Sequence, residues 1–272
     1  MRIYSWNILF ENKRLDEAFA FLRALDFDIL CLQEVPGEFM AQLRSLPYEL
    51  ASAVEYTYAR KDGAPHQTLS VILSRYPIES HEEIEVPNWF LRPILRERIA
   101  TNLLRFLRIW RWTRSTGNRR HLLAWIDIPD IGPTQVYSLH LTIHSPAARR
   151  IELDSVRAKY DQTRPAIMAG DFNIFDTYRV ALPAWFFGAT VLDTLMPWRE
   201  RIWAERFFAH IGLQNPLRGL CTHQTTRCQL DHILVSESLE IAAASVVYER
   251  YGSDHNPVFV ELAARVSRIP RA

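Results

Sequence analysis

With 272 residues, 48% of them hydrophobic and 23% charged, the chain can bury a large core without disulfide or metal staples, and its composition excludes a disordered or fibrous protein. A formal net charge of +1 excludes a whole-molecule field that would by itself select a polyanionic partner. The three cysteines, Cys31, Cys221 and Cys228, are too few and of the wrong parity for a disulfide framework, and without a C-x-x-C pair they do not predict zinc; a reducing, cytoplasmic setting is expected.

Met1 leads directly into a strand-like run, Ile3–Ile8, with no charged n-region and apolar h-region ahead of it, so no signal peptide is expected. Leu15, Ala18, Phe19, Leu22 and Leu25 form a helical stripe over 15–25. Strands follow at Asp28–Gln33, where Cys31 reads as a small core residue, and at Leu69–Ser74. Between Asn88 and Arg120 stand nine arginines (92, 96, 98, 105, 108, 111, 114, 119 and 120) against one acid, Glu97, with Trp89, Phe90, Phe106, Trp110 and Trp112 interleaved. These arginines do not keep to one side of a helical projection, so no clean amphipathic helix is predicted there. Strands resume at His121–Ile128 and Gln135–Leu141, and Pro146–Tyr160 reads as a helix with Ser145 as N-cap and Pro146 in its first turn. A strand at Ala166–Ala169 precedes an aromatic-rich stretch, 184–208, whose upstream uncharged run 180–192 is too short to span a bilayer. Leu230–Val235, Ala244–Tyr248 and Pro257–Leu262 complete the strands. Helices alternate with strands early and the later strands look antiparallel, which predicts a mixed α/β fold with two sheets. Without repeats or a Gly/Ser linker, residues 1–272 read as a single domain with an Arg/Trp-rich insertion at about 88–120.

Polar residues recur where the apolar runs end: Asn7, Glu34, His140, Asp171 with Asn173, Asp231, and Asp254 with His255. Taken singly, each is compatible with a solvated strand end or an ordinary turn. Together they form a chemical kit. Carboxylates and an amide oxygen are hard ligands suited to Mg²⁺ or Mn²⁺. A carboxylate beside an amide can orient and deprotonate water, and histidines can donate to phosphate oxygens as charge grows on them.

The segments Ser-Trp-Asn (5–7), Leu-Gln-Glu-Val (32–35), Leu-Ser-Arg-Tyr-Pro-Ile (73–78), Leu-His-Leu (139–141), Gly-Asp-Phe-Asn (170–173), Leu-Asp-His-Ile-Leu-Val-Ser (230–236) and Ser-Asp-His-Asn-Pro-Val (253–258) resemble the endonuclease/exonuclease/phosphatase superfamily of metal-dependent phosphoesterases over almost the whole chain. The resemblance implies a four-layer α/β sandwich, two central mixed β-sheets flanked by helices, with the site at one edge. It implies Glu34 as main metal ligand with Asn7 and Asp254 nearby. Asp171 would be the base for the attacking water, helped by Asn173. His255 would hold the scissile phosphate, oriented by Asp231, and His140 would contact another phosphate oxygen or the leaving group. Two positions depart from relatives. Leu9 stands where abasic-site endonucleases carry an acid. The stretch His66-Gln67-Thr68 lacks the Glu that pairs with the first histidine in deoxyribonucleases, leaving His140 without an assigned partner. His144, His223 and His232 read as surface or second-layer residues.

Arginine with interleaved aromatics suits a nucleic acid, by phosphate pairing and base stacking. It also suits peripheral contact with an anionic membrane, or aromatics that simply pack inward under a solvated basic face. The expected activity is therefore a monomeric phosphodiesterase or nuclease acting on nucleic acid. The alternatives are a sphingomyelinase-like lipid phosphodiesterase and, more remotely, a catalytically silent binding module.

Overall fold

A computed structural model describes residues 1–59, 65–89, 94–106, 114–116 and 119–263. Its strands are β1 (Arg2–Asn7), β2 (Ile29–Pro36), β3 (Glu49–Ala59), β4 (Pro65–Ser74), β5 (Ile78–Val86), β6 (Arg114–Thr116), β7 (Arg119–Ile128), β8 (Gly132–His140), β9 (Ala166–Asp171), β10 (Leu213–Gln214), β11 (Asp231–Ser236), β12 (Ile241–Val246) and β13 (Val258–Leu262). Its α-helices are α1 (Leu15–Ala24), α2 (Met40–Leu43), α3 (Leu95–Phe106), α4 (Pro146–Arg157), α5 (Ala181–Phe186), α6 (Val191–Leu195) and α7 (Trp198–His210).

The strands form a seven-stranded sheet in the order β12-β13-β1-β2-β4-β3-β6 and a six-stranded sheet in the order β10-β11-β9-β8-β7-β5. Both are mixed: β1–β2 and β8–β9 pair in parallel, and the other pairs are antiparallel.

Alternation within single strands builds the layers. On β2, Ile29 and Cys31 point between the sheets, and Leu30 and Leu32 point outward onto Ala18 and Leu22 of α1 and Leu43 of α2. On β9, Ile167 and Ala169 join the inter-sheet core, and Met168 packs outward with Leu153 of α4 and Phe208 of α7. Strands buried on both faces read as unbroken apolar runs, which is why β1, β2, β9 and β11 are legible in sequence. The result is the four-layer α/β sandwich. Among the described residues, no helix is long and apolar enough to cross a membrane.

The predicted elements are present, with ends displaced by a few residues. Ser145 Oγ accepts the Ala148 N–H at 3.2 Å, and α4 ends at Arg157 rather than Tyr160. Four strands were not foreseen. β5 is an edge strand whose sequence, IESHEEIEV, is polar at most positions because one face meets solvent. β3 fills its inner face with alanines 51 and 53, which carry weak strand signals. β6 and β10 are only three and two residues long.

Candidate active site

Strand register assembles the site. His140 on β8 pairs with Asp171 on β9, and Asp171 pairs with Asp231 on β11, so three neighbouring strands end with chemistry side by side. On the facing sheet, Asn7 ends β1 opposite Gln33 of β2, and Glu34 follows within a β-bulge between Leu32 and Val35. At Glu34, φ is +53°, a left-handed conformation that costs energy and is held by the bulge. Gly170, with φ of +144°, is required: a Cβ there would lie 1.8 Å from the Leu139 carbonyl oxygen.

All eight side chains singled out in the sequence meet here. Asn7 Nδ2 donates to Asp171 Oδ2 (3.1 Å) and to Glu34 Oε1 (3.3 Å), and its Oδ1 accepts the Leu9 N–H (3.1 Å). Asn7 thus presents a nitrogen, not an oxygen, to the carboxylates. The Asn173 backbone N–H donates to Asp171 Oδ1 (2.9 Å), and its side-chain amide donates to the Leu141 carbonyl. His255 Nδ1 donates to Asp231 Oδ2 at 2.9 Å. The Nε2 atoms of His140 and His255 each lie 3.6 Å from Asp171 Oδ2. Asp254 Oδ1 stands 4.0 Å from His255 Nε2. Ser253 Oγ donates to the Asn7 carbonyl (2.7 Å) and accepts the His255 N–H (3.0 Å), tying the last loop to the end of β1.

A family model described as Endonuclease/Exonuclease/phosphatase family matches residues 4–255. The chain belongs to this family. A Beutenbergia cavernae endonuclease/exonuclease/phosphatase structure is 19% identical with a TM-score of 0.67, covering 96% of this chain and 71% of that one. A Neisseria 3′ phosphatase bound to a product DNA hairpin is 17% identical (TM-score 0.61, 97% and 100% coverage). A Bacteroides thetaiotaomicron mannosyl-6-phosphatase is 16% identical (TM-score 0.56, 97% and 100%). No curated protein matches by sequence. The chain is therefore a hydrolase of phosphate esters from a divalent-metal-dependent family.

The donor set of this family member fits a hard divalent cation. Glu34, Glu55, Asp171, Asp231 and Asp254 crowd five carboxylates around the imidazoles of His140 and His255, which leaves negative charge in excess. Burial pushes the Glu34 carboxyl up to about 7; His140 opposes the rise, and Glu55 and Asp254 add to it. Asp254 Oδ1 is a buried atom without a hydrogen-bond partner. Glu34 and Asp254 would hold the cation, with Asn7 beside them. Donor atoms of His223, Asp254 and His255 lie within 4.8 Å of one another, as do those of Asp171, Asp231 and His255. The second group is already closed by the Asp231–His255 hydrogen bond.

The two histidines are held as cations. Burial draws the His140 imidazole down, but the Glu55 charge and hydrogen bond outweigh it and leave the group at about 9. For His255, burial is likewise overcome, by Asp231 and Asp171, to about 10. Asp254 sits at about 2: burial works against this, and the His223 hydrogen bond with the His255 charge prevails.

One residue of this neighbourhood, Glu55, was not identified in the sequence, and a second, His223, carried no assigned role there. Glu55, fully buried at a bulge in β3, receives the His140 Nδ1 hydrogen bond at 2.6 Å and so supplies the missing partner from a different strand than relatives suggested. His223 meets Asp254 Oδ2 at 3.4 Å, and its ring centroid lies 4.7 Å from that of His255. Of the two alternatives for His144, His223 and His232, surface or second-layer, the surface one is corrected, because all three are buried. His144 Nε2 pairs with Glu97 Oε1 (3.0 Å) and His232 with Arg201 (2.6 Å).

The arginine-rich segment also turns partly inward. Arg119 donates to Glu152 Oε1 (3.1 Å) and to the His140 carbonyl, and Trp89 Nε1 shares the same Glu152 oxygen (3.0 Å). Outside that segment, Arg149 of α4 makes a bidentate pair with Glu200, both contacts at 2.6 Å. Phe90, Arg92, Arg108, Trp110, Arg111 and Trp112 lie outside the described residues.

Proposed function

We propose that the protein is a phosphodiesterase using Mg²⁺ or Mn²⁺, in which water attacks phosphorus in line with the departing ester oxygen. The observation that carries this reading is the pair of carboxylate-backed imidazoles, Glu55–His140 and Asp231–His255, whose Nε2 atoms both face Asp171 Oδ2. With Nδ1 committed to a carboxylate, each ring is fixed in orientation and has Nε2–H free for a phosphate oxygen. Asp171, held by the Asn173 backbone and the Asn7 amide, takes the water proton as the new O–P bond forms. His255 steadies the non-bridging oxygens, and His140 delivers a proton to the leaving oxygen as the ester P–O bond breaks. A bound cation would supply Lewis-acid stabilisation of phosphoryl charge. Both histidine–carboxylate pairs are intact, which speaks against a silent binding module.

The nucleic-acid substrate suggested by the arginines is the first class to test, since the Neisseria neighbour holds a DNA product. A lipid phosphodiester is the second reading. It is favoured by one observation: Arg119, Arg149 and Arg201 are engaged with Glu152, Glu200 and Asp176, while aliphatic side chains of α3, α5 and α6 stand in solvent.

The decisive assay incubates purified protein and Mg²⁺ or Mn²⁺ with abasic DNA, single strands, sphingomyelin and a soluble aryl phosphodiester. Glu34→Ala and Asp171→Asn are expected to stay folded and lose at least about 10²–10⁴-fold in turnover. Near-native turnover in either variant would remove its assigned role. Cleavage of monoesters alone would overturn the phosphodiesterase reading.

A further inference from the structure

Helix α3 is amphipathic in the wrong sense for a buried helix. Leu95, Ile99 and Leu103, spaced four apart on one face, are 71%, 56% and 56% exposed, whereas Glu97 points inward to His144. The same inversion occurs around α5 and α6, where Leu182, Val191 and Leu195 are exposed. Among the described residues, every exposed large hydrophobic side chain except Ile151 and Tyr248 lies in 94–103 or 178–202. The two stretches touch. The Arg96 guanidinium carbon stacks 4.4 Å from the Trp185 ring centroid, and Arg96 donates to the Ala189 carbonyl at 3.3 Å. The apolar surface is therefore concentrated in one region, unlike the scattered residues of an ordinary soluble face.

Charge selects what covers it. The exposed charges in these stretches are Arg98, Arg179 and Arg199. Their acids are engaged: Glu97 with His144, Glu200 with Arg149, and Asp193 in the capping box with Thr190. Only two of these exposed side chains are aromatic, Tyr178 and Trp198, and they pack edge-to-face on each other; the aliphatic majority cannot stack on bases, which disfavours a nucleic acid. A second copy related by a two-fold axis would present this basic face to itself. Aliphatic side chains framed by arginine match an anionic lipid surface, with apolar tips entering the acyl boundary and guanidinium groups at the headgroups.

We infer that the α3/α5–α6 face docks this enzyme peripherally on an anionic lipid bilayer. The docked face is linked to the site through the chain: Glu97 of α3 is bound to His144, four residues beyond His140, and α5 follows the Asp171–Asn173 loop in sequence. The inference draws on the phosphodiester reading only for what docking would serve; binding itself is independent of turnover.

The test is flotation of the full chain with phosphatidylcholine vesicles, with and without phosphatidylglycerol. Wild-type protein and Glu34→Ala are both expected to float with the anionic vesicles and to bind at least about ten-fold more weakly without the anionic lipid. Arg98→Gln, Arg179→Gln and Arg199→Gln should each lose about five-fold in binding. The triple variant Leu95→Ser, Ile99→Ser and Leu103→Ser should abolish flotation while keeping wild-type turnover of a soluble aryl phosphodiester. Failure of the wild-type protein to float, or flotation indifferent to the serine variant, overturns the inference. So does sedimentation showing a dimer that the serine variant dissociates, since the face would then bind its own copy. Flotation without hydrolysis of any phosphodiester would leave docking standing and remove the proposed activity; hydrolysis without flotation would do the reverse.

Discussion

Glu55 Oε1 lies 2.6 Å from His140 Nδ1, and the second oxygen of the same carboxylate takes the Glu34 backbone N–H at 3.1 Å. One buried side chain thus orients the imidazole on one sheet and braces the candidate metal ligand on the other. Glu55 is a positioning residue, acting on substrate only through its neighbours. Glu55→Gln preserves shape and removes the charge, so the His140 pKa should fall from about 9 and the ring should lose its proton at lower pH. Turnover at pH 8 is expected to drop by about 10²-fold, and the alkaline limb of the pH–rate profile should move to lower pH. A variant with reduced turnover but an unmoved alkaline limb would show that Glu55 serves the fold alone.

Gly170 gives a purely steric prediction. The parallel pairing of β8 and β9 that aligns His140 with Asp171 leaves no room for a Cβ beside Leu139. Gly170→Ala should cost about 3 kcal/mol or more, on the order of 6–12 °C in Tm, or prevent folding altogether. Gly132→Ala is the control: φ there is +89° with nothing within 4 Å of the added carbon, so only about 1–2 kcal/mol is at stake. Equal melting temperatures for the two variants would refute the close-approach argument.

Much of the site was legible because its residues terminate strands buried on both faces. An apolar run ending abruptly in Asn7, Glu34, His140 or Asp171 is visible without knowing the pairing. Glu55 was not legible for the converse reason. It sits inside β3, among small and aromatic residues, and only the bulge between Val54 and Tyr56 aims it at His140. His223 was hidden because it reaches Asp254 through an isolated bridge between His223 and His255, a contact that no local pattern announces. The orientation of α3 was also unreadable. The helical projection showed arginines spread around the axis, but the burial of Glu97 by His144, a tertiary event, decides which face meets solvent.

The charge balance of the site predicts how metal and pH share control of stability. Glu34, His140 and His255 all have folded pKa values raised, to about 7, 9 and 10. A group raised on folding binds its proton more tightly in the native state, so its contribution is fully present below the unfolded value and is lost as pH rises through the folded one. Taking ordinary unfolded values of about 4.3 for Glu and 6.5 for His, the losses run from roughly pH 4.5 to 7 for Glu34 and from 6.5 to 9 or 10 for the histidines. Asp254, lowered to about 2, acts oppositely, and only below pH 4. Burial holds His121 and His232 well below the usual imidazole range, and these two also act oppositely, below about pH 6.5, so in chelator Tm should decline between pH 7 and 10. A divalent cation held as proposed would take over the neutralisation of Glu34 and Asp254, so the Tm increment from saturating Mg²⁺ or Mn²⁺ should grow with pH as protons leave the site. Differential scanning fluorimetry across this range, with chelator and with metal, measures both slopes. A chelated protein whose Tm is flat or rises from pH 7 to 10, or a metal increment that does not change with pH, would contradict the electrostatics that hold these carboxylates and imidazoles together.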